Sequence, residues 1–107
     1  MSISGITHTA LSGMLAQSTR ANAIADNLAN SSTRGYSRLN TSFAAANAGS
    51  DVQAIIRPNE VPTDGSEIDL AAELTELIET GQNYKANATV FETGADLWDM
   101  LRSIKHD

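Results

Sequence analysis

From Leu70 to Trp98 the sequence keeps one track of residues at helical spacing: Leu70, Leu74, Leu77, Gly81, Tyr84, Ala88, Phe91, Ala95 and Trp98, at intervals of 4, 3, 4, 3, 4, 3, 4 and 3. An apolar track averaging 3.5 residues is the pattern of a left-handed coiled-coil seam. It predicts one long helix over 68–106. It rules out strands for this half of the chain, because strand side chains alternate with period 2. The 38 residues from Asp69 to His106 would extend about 57 Å as a helix. Glu67, Asp69 and Glu73 crowd its first turns and Arg102 and Lys105 its last, which suits the two ends of the helix dipole. Ser66 followed by Asp69 resembles a capping box.

A shorter helix is expected over 3–29. Leu11, Met14, Ser18, Ala21, Ala25 and Leu28 recur at 3, 4, 3, 4 and 3 and share one narrow face, which Ala10 and Ile24 widen. Small residues dominate that face, so a partner helix can approach closely. Gly5 and Gly13 each cost about 1 kcal/mol of intrinsic helix stability, so this helix depends on a partner. A helix of this length leaves part of the longer seam uncovered, and another copy of the chain is the simplest cover for it.

Between the helices, 30–67 lacks any sustained period. "FAAANAGSD" is small and polar, and "RPNEVPTDGS" contains both prolines and a turn-forming Asp-Gly. "VQAII", from Val52 to Ile56, has room to be a short strand. The segment reads as an irregular linker with space for one β-hairpin. The resulting fold class is all-α: two long terminal helices forming a coiled-coil hairpin around that middle segment.

Composition narrows the function. Thirteen acids against 7 bases give a net charge of −6, the wrong sign for a nucleic-acid surface built on clustered Lys and Arg. No run of 18 apolar residues occurs, so direct membrane insertion is not expected. Met1 to Gly13 lacks the basic and apolar regions of a cleaved secretory signal. The absence of cysteine removes disulfides, thiolate nucleophiles and Cys-based zinc sites together.

No catalytic, cofactor or metal site is expected. His8 and His106 read as two solvated histidines at opposite ends of the chain. Glu73, Glu76 and Glu79 lie beside the leucine track and read as a solvated acidic face, without the Glu-x-x-His motif of bundle metal sites. Tyr84, Phe91 and Trp98 fall in register with the leucines and read as core. Gly81, inside the track, is where a neighbouring helix would approach closely.

The exit of the first helix, "ADNLANSSTRGYSR", resembles the N-terminal signature of the bacterial flagellar axial proteins (rod, hook and hook-associated proteins), close to N-N-[LI]-A-N-x-x-T-x-G-Y. Asn27, Leu28, Ala29, Asn30, Thr33, Gly35 and Tyr36 match it, and Asp26 replaces the commoner first Asn. The C-terminal half is similar to the rod and hook C-terminal helix, with Asp69, Leu70, Glu73, Leu74, Tyr84, Ala86, Asn87 and Val90 at matching places.

The resemblance implies a single axial core domain over 1–107, of a short proximal-rod type, since the middle is too brief for added β domains. It implies a structural, non-enzymatic subunit of the basal-body rod. Such a subunit leaves through the flagellar type III export apparatus without a cleaved signal and lodges in the periplasm-spanning rod. Its partners would be other copies of itself and other rod and hook proteins, packed through Leu74, Leu77, Gly81, Tyr84, Ala88, Phe91 and Trp98. Asn27, Asn30, Gly35 and Tyr36 would shape the helix exit, with Gly35 at a positive φ. The rival reading is a free-standing oligomeric coiled-coil adaptor or regulator derived from a rod protein.

Overall fold

The computed structural model describes residues 2–46, 49–59 and 68–105. Its elements run α1 (Ile3–Ala29), β1 (Leu39–Ala46), β2 (Asp51–Pro58) and α2 (Leu70–Lys105). Ser2 caps α1, its Oγ accepting from the Gly5 N–H at 2.9 Å. Asp69 caps α2, its Oδ1 accepting from the N–H groups of Ala71 and Ala72 at 3.0 and 3.3 Å. The capping box expected from Ser66 falls outside the described residues. Asp69 takes the capping role itself, and the helix opens at Leu70.

The chain is mostly helical, with two long helices as expected, and the room left for a β-hairpin between them is used. The middle segment contains a two-stranded antiparallel sheet, in register from Leu39 opposite Pro58 to Ala46 opposite Asp51. Alanine-rich β1 has little strand propensity of its own. It is held by pairing with β2 and by docking on α1. The hairpin is tied to α1 through β2 and the turn before it, where the Ser12 Oγ accepts from the Val52 N–H at 3.2 Å and the Thr9 hydroxyl donates to the Ser50 carbonyl at 2.8 Å.

Three layers result: hairpin, α1, then α2, in a body 69 × 26 × 14 Å. Among the described elements the hairpin packs on α1 alone, so α1 is covered on two sides and α2 on one. The core is correspondingly thin: among the described residues its buried apolar side chains are Ala10, Ala16, Ala23 and Ile24, all on α1.

The two helices run antiparallel, and glycines set how near they come. A Cβ on Gly13 would lie 2.5 Å from Asn87 Oδ1, and one on Gly94 2.5 Å from Thr7 Cγ2. An added methyl at either place would have to displace the Asn87 or Thr7 side chain. The close approach expected at Gly81 does not occur within the chain, where an added Cβ meets nothing within 4 Å.

The face of α2 turned to α1 is not the leucine track. It is Glu73, Thr80, Asn87 and Gly94, a seven-residue repeat in which Glu73, Thr80 and Gly94 are buried and Asn87 half-buried. On α1, likewise, Ala10, Gly13, Ile24 and Asn27 are buried, while Leu11, Ser18 and Ala25 of the expected face are exposed. Tyr84, Phe91 and Trp98 are therefore not core in the single chain. The physical reason is twofold: glycine and alanine let the backbones close along the small line, and a polar junction at Glu73 fixes the rotation of α2.

Candidate functional site

Two features could carry function: that polar junction, and the apolar face which the rotation of α2 leaves uncovered. The junction begins with the turns after α1. Asn30 ends the helix, its Nδ2 donating to the Asp26 carbonyl at 2.8 Å. Two turns follow, closed by Thr33 N–H to Asn30 carbonyl at 3.0 Å and Tyr36 N–H to Thr33 carbonyl at 3.3 Å. Gly35 has a φ of +77°, at the third position of the second turn, where a positive φ favours glycine.

These turns deliver Tyr36 and Leu39 to the side chain of Asn27, which is fully buried. Asn27 Oδ1 accepts from the Leu39 N–H at 2.8 Å and from the Tyr36 hydroxyl at 3.0 Å. Its Nδ2 donates to the Leu39 carbonyl at 3.0 Å and approaches both carboxylate oxygens of Glu73 at 3.4 and 3.3 Å. One amide thus pairs with the first residue of β1 as a neighbouring strand would, and also reaches across to α2. Asn27 does more than shape the helix exit; it joins three elements.

Glu73 is 0% exposed, which corrects the expectation of a solvated acidic face. Arg38 reaches it with Nε and reaches Glu76 Oε2 with Nη2 at 2.9 Å. Arg38 also donates to Asn40. A buried carboxylate without such donors would be costly. Tyr36 sits beside this charge, and its pKa is raised, by burial first and then by the negative charges of Asp26 and Glu73. The phenol therefore keeps its proton and remains a donor to Asn27. Glu79 makes only a rim contact with Arg20, at 3.6 Å.

The second feature is the leucine track itself. Leu77, Phe91, Tyr84 and Trp98 remain 37%, 37%, 45% and 51% exposed. Leu74 and Gly81 are exposed and Ala88 half-buried. Contiguous apolar surface of this kind marks an interaction site. Its concave ends are lined by both helices: Leu77, Gly81 and Tyr84 beside Ser18 and Ala21, and Phe91, Ala95 and Trp98 beside Ser4 and Thr7.

Among the described residues no group of three or more His, Asp or Glu is placed to hold a metal, and no helix is long and apolar enough to cross a membrane. His8 is largely solvated yet approaches Asp51 at 3.3 Å; His106 lies outside the described residues. Sequence reasoning missed Arg38, Gly13, Gly94 and the burial of Glu73. The available signal was the seven-residue recurrence of small and polar residues at 73, 80, 87 and 94.

The described residues thus form an elongated helical hairpin with a buried polar junction and an exposed apolar track on α2. Residues 8–36, from α1 to the Tyr36 that touches Asn27, match the family model described as flagella basal body rod protein. The chain is similar to the flagellar hook protein FlgE of Rhizobium meliloti (strain 1021), 47% identical over 42 residues, 39% of this chain and 10% of that protein. It is also similar to the FlgE of Brucella abortus biovar 1 (strain 9-941), 49% identical over 45 residues, 42% of this chain and 11% of that protein. The matching stretch thus spans about a tenth of the hook proteins' length. Over residues 8–36 the chain is thus similar to flagellar basal-body rod proteins, and over a comparable length to flagellar hook proteins.

Proposed function

We propose that this chain is a structural subunit of the flagellar basal-body rod, of the short proximal type, assembling with itself and with other rod and hook proteins. The observation that carries this reading is the uncovered apolar track of α2 on a chain whose α1 bears the rod-family segment. Leu74, Leu77, Gly81, Tyr84, Ala88, Phe91 and Trp98 supply the packing surface for coiled-coil contacts. A heterologous contact repeated without closure generates a helical tube, which is what an axle requires. The subunit reaches the periplasm-spanning rod through the flagellar type III export apparatus.

The test is incorporation. A tagged chain is expected in purified basal bodies, and Leu77→Asp is expected to be lost from them, because assembly would bury an unpaired charge. Leu77 is exposed in the single chain, so the variant should still fold. Equal recovery of both proteins would refute the assigned surface. A chain that self-associates but is absent from basal bodies would favour the free-standing adaptor.

A further inference from the structure

The exposed track of α2 has an internal order that assembly in general does not require. Two interleaved rows make it up. Leu77, Tyr84, Phe91 and Trp98 form a row of large side chains, and Gly81, Ala88 and Ala95 form a row of small ones, with Leu74 at its start.

Two helices meeting in parallel would match like with like: Tyr84 on Tyr84, Phe91 on Phe91, Gly81 on Gly81. Large layers would crowd and small layers would leave voids, both costly in a close-packed interface. Antiparallel pairing about a two-fold axis near Ala86 does the reverse. Gly81 then meets Phe91, Ala88 meets Tyr84, and Ala95 meets Leu77, with Leu74 and Trp98 closing the outer layer.

Leu77 and Gly81, which line one concavity, fall opposite Ala95 and Phe91, which line the other. On the α1 side one is lined by Gln17, Ser18 and Ala21 and the other by Ile3, Ser4 and Thr7. Gly81 is open within the chain, as a socket for an incoming ring would be.

We infer that α2 pairs antiparallel with the α2 of a second copy, in a closed dimer whose register sets Gly81 against Phe91, Ala88 against Tyr84 and Ala95 against Leu77. Such a contact is isologous and terminates at two copies. It buries the same face that the proposed axle contact uses. A tube built from one repeated heterologous contact keeps all copies pointing the same way, so this dimer must open before a copy is incorporated. The inference rests on the rod reading only for that last consequence; the dimer itself stands on the face alone.

The cysteine-free sequence makes the register testable by cross-linking in the full chain. In the antiparallel dimer Ala95 lies opposite Leu77, 18 residues from its own counterpart, or about 27 Å. Ala95→Cys alone should give no disulfide-linked dimer, whereas Ala95→Cys mixed with Leu77→Cys should give a linked pair. A parallel dimer would link Ala95→Cys to itself and overturn the proposal.

Size exchange supplies a second reading. Gly81→Phe and Phe91→Gly should each weaken the dimer about tenfold or more by sedimentation. The double variant should recover most of that loss, since each ring again meets a glycine. A double variant as weak as the two losses combined would overturn the register, and a wild-type chain that stays monomeric up to its solubility limit would overturn the dimer. Neither result touches the rod reading, which stands or falls on recovery from basal bodies.

Discussion

Two rows on α2 share a seven-residue period and opposite fates. Glu73, Thr80, Asn87 and Gly94 are polar or small and face inward; Leu77, Tyr84, Phe91 and Trp98 are large and apolar and face outward. A free-standing domain does the reverse, since burying large apolar groups is its main source of stability. Here the inner row closes by backbone proximity and hydrogen bonding, and the outer row stays exposed. The single chain therefore relies on a few polar and steric contacts, and association should supply the hydrophobic term.

The strongest way to break this comparison is at the junction. Arg38→Ala leaves Glu73 buried without its cation and should cost the single chain about 3 kcal/mol, read by denaturant unfolding below the association range. A loss within 0.5 kcal/mol, the usual scatter of surface substitutions, would mean that the junction does not hold α2 in place.

The glycines sharpen the contrast with opposite signs. Gly13→Ala places a methyl against the Asn87 amide. It should destabilise the single chain by about 1–2 kcal/mol despite the gain in helix propensity. Gly81→Ala meets open space and should stabilise the single chain by up to about 1 kcal/mol while weakening association. If both substitutions moved unfolding in the same direction, the division into an inner and an outer row would be mistaken.

The smallest expected effect lies at Tyr36. Tyr36→Phe removes one hydrogen bond to buried Asn27, worth about 1 kcal/mol. In the wild type the raised phenol pKa means that the folded state keeps its proton after the unfolded state, whose pKa is near 10, has begun to lose it. Stability should thus be unaffected by this group below about pH 10 and fall as the pH rises through the folded pKa. The Tyr36→Phe protein should lack that component of the alkaline decline.

Much of the architecture was legible in residue order. The periods of both helices, the turn chemistry after Asn30 and the positive φ of Gly35 all depend on neighbours close in sequence, and local physics suffices to read them. Strand β1 was not legible, because Leu39–Ala46 is alanine-rich and becomes a strand only through pairing with β2 and docking on α1. Asn27 and Tyr36 were visible as motif residues, but their partner Glu73 stands 46 residues beyond Asn27 and looks like any acid on a solvated helix face. Nothing local announces that Arg38 will reach it.

The sequence by itself determined that α2 is one long helix carrying a seam, that the chain has a second, small-residue helix, and that the exit from that helix is a glycine-dependent turn. Only the tertiary structure decided which of two in-phase rows turns inward. A seven-residue period specifies that a row is straight along a helix; it does not specify what the row faces. That choice was made by the approach at Gly13 and Gly94 and by the buried junction of Asn27, Arg38 and Glu73, contacts between residues far apart in the chain. They turn the large apolar row outward, where a second molecule can meet it.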